Sequence, residues 1–318
     1  MSYQSKINYP EINQNKFKTF LLLLLLPASL MLMLGLVFYV TGAQDMLQII
    51  AGYVIPIGIG ALIWMLISMA FGSSIALNSA RAQQISEKSN PEIYNLVRGV
   101  ATKAGLPVPK IYIINDNNLN AFATGSNPHT ASIALTKGII QRLNREELEG
   151  VIAHELSHIG NRDTLIMVVV AIGISVFTMV GQMIMFNRML SGRRSNNSGG
   201  NVVMLIGVVF LIFGYLVAPI IQLAISRRRE YMADASAARI TGNPMALANA
   251  LAKIAPNSKV AVLGEQDSLN AMCIANPSSK QPSLYLSLSG LYATHPPIEK
   301  RIEALKKLAN PNLDPRIR

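Results

Sequence analysis

His154-Glu155-Leu156-Ser157-His158 sets two imidazoles four residues apart, with a carboxylate beside the first. On an α-helix, positions i and i+4 lie one above the other, so both rings can reach one metal ion. Neutral imidazole suits zinc, and a catalytic zinc keeps one position open for water. Glu155 is offset by one residue and can take a proton from water that the metal acidifies. The chain holds only four histidines and 17 acidic residues in 318. Random placement would give about 0.003 such patterns, so chance is a poor explanation.

A third protein ligand is required. Asn161 and Thr164 stand where the metzincin extension needs Gly and His, which excludes that class. His129 and His295 are possible ligands, and a carboxylate is the other common choice. His129 falls in a turn pattern and reads as a surface histidine. Glu230 is the strongest candidate. It opens Glu230-Tyr231-Met232-Ala233-Asp234, read as helical. Asp234 lies one turn further on the same face, placed to hold the free N–H of a ligating histidine.

The elements that must position these groups read as mixed α and β. Residues 90–104 form a helix with Pro91 in its first turn and Gly105 near its end. Residues 110–114 read as a buried strand, and 121–125 and 131–136 as two short strands joined by a turn. Asn144 starts the helix that carries the histidines, with Glu147 completing a capping box. That helix is expected to run straight into a hydrophobic segment. A further helix is expected over 298–308, with Pro296 and Pro297 at its start.

Composition excludes a water-soluble globule. Apolar residues make up 51% and charged residues 14%, with mean hydropathy +0.34, against about 25% charged in a soluble domain. Four windows, residues 20–40, 47–71, 164–186 and 202–225, contain none of the 45 charged residues. Each reaches the roughly 20 residues that cross a bilayer as a helix. The first is too long for a signal-peptide core and reads as a retained anchor. Lys6, Lys16 and Lys18 precede the first window and Arg227, Arg228 and Arg229 follow the last, which marks those ends as cytoplasmic. Arg188, Arg193 and Arg194 break the rule between the third and fourth windows. Either the rule fails locally or those windows do not fully cross; the polar segments share one side in both cases.

The net charge of +11 is thus explained by membrane topology, and no nucleic-acid-binding pattern accompanies it. Arg227 and Arg229 are expected to reach lipid headgroups. Cys273, the single cysteine, cannot form an internal disulfide and reads as a small buried residue.

The chain resembles the HtpX-type membrane zinc proteases, relatives of the CAAX prenyl proteases and of mitochondrial stress proteases. The resemblance rests on Asn120-Ala121-Phe122-Ala123, on the histidine motif followed by Asn161 and Asp163, on the run from Ser226 to Asp234, and on Thr294-His295-Pro296-Pro297. It implies one zinc per chain bound by His154, His158 and Glu230, with Glu155 as general base and Asp234 in support. It implies substrate backbone pairing at Asn120, Ala121, Phe122 and Ala123. His295 either donates to the oxyanion or, with Thr294, starts the following helix.

The implied fold class is α+β, mainly α: a multi-pass membrane protein with four hydrophobic helices and a gluzincin-like protease domain carrying a small β-sheet. The expected order is a cytoplasmic N-terminus (1–19), a membrane hairpin (20–71), the first half of the protease domain (72–163), a second hairpin (164–225) and the second half (226–318). The implied activity is cleavage of membrane or misfolded proteins at the cytoplasmic face of the inner membrane, in quality control and stress response, with self-cleavage possible. The implied partners are protein or peptide substrates and the bilayer, without nucleic acid. Two other readings are processing of lipid-linked C-termini and a membrane scaffold with a structural metal.

Overall fold

The computed structural model describes residues 55–163, 177–186, 207–213, 218–257, 273–274 and 296–310, with scattered positions between 17 and 51 and Met204. Thr294, His295, the loop 187–201 and much of the four hydrophobic windows lie outside the described residues. Two compact units emerge. One takes the described residues within Phe71–Met167 and Leu223–Arg318; the other takes those within Phe17–Ala70 and Val168–Gln222.

In the first unit, β1 (Gln83–Ile85), β2 (Lys110–Ile114), β3 (Ala121–Thr124) and β4 (Ser132–Thr136) make a mixed sheet in the order β1-β2-β4-β3. β2 runs parallel to β4, while β1 and β3 run antiparallel to their neighbours. Successive side chains point to opposite faces, and both faces are covered. Ile111, Ala121, Ala123, Ile133 and Leu135 enter the larger core. Ile114, Phe122 and Ala134 point the other way, against Ala76, Leu77 and Ala80 at the end of helix α1 (Ile55–Ser79). Two-sided burial is why β3 and β4 show no polar alternation.

Helices α2 (Pro91–Ala104), α3 (Lys137–Arg142), α4 (Arg145–Asn161), the end of α5 (Ala218–Thr241), α6 (Pro244–Ile254) and α7 (Ile298–Ala309) complete the unit. Asparagine caps three of them: Asn90, Asn144 and Asn243 each accept a backbone N–H of the first turn. The expected capping box of α4 is present. Glu147 N–H donates to the Asn144 side chain, and Asn144 N–H donates to Glu147 Oε2. Leu148, Val151, Ile152, Leu156 and Ile159 of α4 are all buried, at about 1.5–3 kcal/mol each. That burial sets the helix's rotation. Gly150 lets α6 approach: a Cβ there would stand 3.1 Å from the Leu247 backbone.

One expectation is corrected. α4 does not run on into the third window; it stops at Asn161. Arg162 takes the left-handed conformation (φ 59°) and donates its N–H to the His158 and Ile159 carbonyls. α7 begins where the sequence suggested, but its N-cap position falls on Pro297, without a side-chain cap.

In the second unit, residues 177–186 and most of 207–213 are helical. They are joined through Phe177, whose ring centroid lies 6.1 Å from that of Phe210 and 4.6 Å from that of Phe213. Among the described residues, no helix is long and apolar enough to cross a membrane.

Candidate active site

α4 presents His154 and His158 on one face, their Nε2 atoms 3.2 Å apart. α5 brings Glu230 to them across 72 residues of sequence. Its Oε2 lies 3.6 Å from His154 Nε2 and its Oε1 lies 3.4 Å from His158 Nε2. Metal–nitrogen bonds of about 2.0–2.1 Å at tetrahedral angles imply ligand–ligand edges of about 3.3–3.4 Å. The three observed separations bracket that length. Ligand atoms of His154, His158 and Glu230 all fall within 4.8 Å of one another, so these residues can hold a metal.

The other ring nitrogens are held. His154 Nδ1 lies 3.0 Å from Asp234 Oδ1, and His158 Nδ1 lies 3.0 Å from Asp163 Oδ2. Carboxylates on Nδ1 keep the proton there and leave both Nε2 lone pairs for a metal. The turn at Arg162 makes the second contact possible. Asp163 is five residues from His158, well around an uninterrupted helix.

Two buried arginines accompany these acids. Arg301 of α7 donates from Nε and Nη2 to the two Asp234 oxygens at 2.9 and 2.8 Å, and its Nη1 lies 3.1 Å from Glu230 Oε2. Arg229 donates to the Asp163 carbonyl at 3.3 Å. It is only 5% exposed, so it does not reach for lipid headgroups as expected. Desolvation disfavours leaving its charge unpaired, and the acid-rich centre compensates for it. Around the histidines, then, Glu155, Asp163, Glu230 and Asp234 face Arg229 and Arg301, all buried. With the four acids ionised and both rings neutral, the group carries a net charge of −2, two positive charges short of neutral. A divalent cation supplies that difference, so the donor set and the charge both fit a metal.

Glu155 is 1% exposed, and its Oε2 has no hydrogen-bond partner among the described residues. Burial pushes its carboxyl above the ordinary range, against the pull of His154 and His158. A raised carboxyl suits a base that must also return a proton near neutral pH. Burial opposes charge on His154 as well, but the Asp234 and Glu230 carboxylates outweigh it and raise the ring. For His158, burial is outweighed by Asp163 and Glu230, and the ring rises to about 10. Arg301 overcomes the burial of Asp234 and holds it below the ordinary carboxylate range.

A sign follows for metal binding. Below about pH 10 the metal-free protein keeps a proton on the His158 ring that a metal must displace. Metal affinity therefore falls as pH falls, and binding near pH 7 should release the His158 proton. Calorimetry in two buffers of different ionisation enthalpy counts it; binding without proton release contradicts a charged His158 ring.

Of the remaining sequence candidates, Asn120 and Ala121, Phe122 and Ala123 are buried at β3. The outer side of β3 is already engaged: Phe122 bridges Cys273, and Ile274 N–H donates to the Ala121 carbonyl at 2.9 Å. Cys273 is buried as expected, its thiol pushed up by burial and by Glu155. His129 is exposed in its turn, its N–H donating to Asn127 Oδ1 at 2.9 Å. His295 lies outside the described residues. Sequence reasoning missed Arg301. The available signal was its place in α7, where it shares an apolar stripe with Ile298, Ile302 and Leu305; a charge on that stripe has to be paired.

A helix-borne histidine pair with its glutamate, a carboxylate delivered by a distant helix, and a small mixed sheet alongside define a metallopeptidase. The chain matches the model of peptidase family M48 over residues 87–309 and belongs to that family. It is 41% identical over 252 residues to a Protease HtpX homolog of Bacteroides fragilis (strain YCH46), covering 78% of each chain. It is 38% identical over 306 residues to one from Ligilactobacillus salivarius (strain UCC118), covering 94% of this chain and 99% of that protein. The crystal structure of S. mikatae Ste24p aligns with 92% of this chain and 65% of its own, at 17% identity and a TM-score of 0.48.

Proposed function

We propose that this metallopeptidase is a membrane-bound zinc endopeptidase, with one Zn²⁺ per chain. In this reading it cleaves membrane or misfolded proteins at the cytoplasmic face of the inner membrane, in quality control and stress response. The observation that carries the reading is the convergence of His154, His158 and Glu230 beside buried Glu155.

His154, His158 and Glu230 hold the metal, and Asp234 and Asp163 orient the two rings. The chemistry a bound zinc supplies is polarisation of the scissile carbonyl and acidification of a water near neutral pH. Glu155 accepts the water's proton at Oε2 and passes it to the leaving amine, so the carboxyl ends the cycle ionised as it began. An extended substrate pairs its backbone with β3. Because Ile274 already uses the Ala121 carbonyl, a peptide pairing at that point must displace it.

The membrane assignment is supported by the four uncharged windows and by α1. Ile55, Ile59, Ile63, Trp64, Ile67 and Phe71 are each more than 40% exposed, a continuous apolar surface of the kind that marks an interaction site. The basic residues at the outer ends of the windows support the cytoplasmic orientation. The test is proteolysis by the purified full chain in detergent on an unfolded casein-type substrate. Cleavage should stop with a zinc chelator and return with added Zn²⁺; chelator-resistant cleavage overturns the reading.

A further inference from the structure

α7 packs beside α6 and sends one charged side chain, Arg301, into the interior, where it is fully buried. Its planar fork meets Asp234 edge to edge, Nε on Oδ2 at 2.9 Å and Nη2 on Oδ1 at 2.8 Å. Two parallel bonds fix both the position and the plane of a carboxylate. Asp234 Oδ1, held this way, is the same atom that faces His154 Nδ1 at 3.0 Å. Arg301 is itself anchored independently of the carboxylates: Nη1 donates to the Ile274 carbonyl at 3.0 Å. The shortest contacts run Ile274 backbone, guanidinium, Asp234, His154, while Nη1 also lies 3.1 Å from Glu230 Oε2 and Nη2 3.3 Å from His154 Nε2.

We propose that Arg301 is a positioning residue of the metal centre, acting through Asp234 to aim the His154 ring and so to set metal affinity. This rests on His154, His158 and Glu230 being the ligands. The inference assigns α7 a role beyond packing: it delivers the group that orients a ligand's partner. A plain charge plug would need only a cation. The observed geometry uses the fork, which a lysine ammonium cannot reproduce because it is a point charge.

The discriminating variant is Arg301→Lys, which keeps the charge and lets the acids remain paired. Zn²⁺ affinity of the full chain in detergent is measured by competition with a chromogenic chelator. Thermal unfolding of the metal-free form is followed alongside. Arg301→Lys should bind Zn²⁺ about 10–100-fold more weakly, as loss of a ligand-orienting partner does, while the metal-free unfolding midpoint changes little. In the Asp234→Asn background the same lysine substitution should cost clearly less than in the parent, because the path through Asp234 is already broken and only the contacts to Glu230 and His154 remain. Parent-like Zn²⁺ affinity in Arg301→Lys overturns the proposal, as does a full loss repeated in the Asp234→Asn background. His158→Ala in the parent chain separates the two layers. If it leaves Zn²⁺ binding intact, the ligand assignment fails; if it abolishes binding while Arg301→Lys does not weaken it, only the positioning role fails.

Discussion

Glu155→Gln should lower peptide-bond cleavage about 10²–10⁴-fold, the range for losing a positioned acid–base group, and leave Zn²⁺ affinity within a few-fold of the parent. Glutamine has nearly the same shape but cannot take up or return a proton. Glu155 is not among the converging ligand atoms, which belong to His154, His158 and Glu230, so metal should stay bound. Stability should hold or rise. Burial already penalises the ionised Glu155 carboxyl, and a neutral amide escapes that cost. Steady-state cleavage, zinc content and thermal unfolding on one preparation check all three. Cleavage near the parent rate by a zinc-loaded Glu155→Gln protein, with contaminating protease excluded by a second purification route, removes Glu155 as the base.

Glu230→Gln should weaken Zn²⁺ binding on the order of 10²–10³-fold. Structural zinc sites with four ligands bind with about 10–16 kcal/mol, so one ligand accounts for about 2.5–4 kcal/mol. An amide oxygen recovers part of the contact but none of the charge. The same change removes the anionic partner of Arg301 Nη1 at 3.1 Å, leaving Asp234 and the Ile274 carbonyl to hold the buried cation. Chelator competition gives the affinity directly. Parent-like affinity would send the search for a third ligand back to His295, since His129 stands exposed in its turn.

Much of the local structure was readable before any coordinates. The helix with Pro91 in its first turn, the cap at Asn144, the strand at Lys110–Ile114, the short strands β3 and β4, and the single face shared by His154 and His158 all depend on residues a few positions apart. Propensity, capping and helical periodicity act over that range. Glu230 and Asp234 were picked out for the same reason, one turn apart on one helix, once a histidine pair needed a third ligand. The helix end at Asn161 was misjudged because a left-handed Arg162 carries no glycine signal. That turn in turn decides whether Asp163 can reach His158.

What the chain's own order of residues determined was the chemistry available: two rings and a base within five positions, and uncharged windows on either side of them. Tertiary structure alone decided how the charges are settled. Arg229 was expected at the lipid headgroups and is instead buried on the Asp163 backbone, and Arg301 holds Asp234 from 67 residues away. Coulombic pairing acts through space at 3 Å, and the cost of burying an unpaired charge makes it compulsory. Neither property leaves a repeating pattern along the chain, so the partners become known only when the helices are brought together.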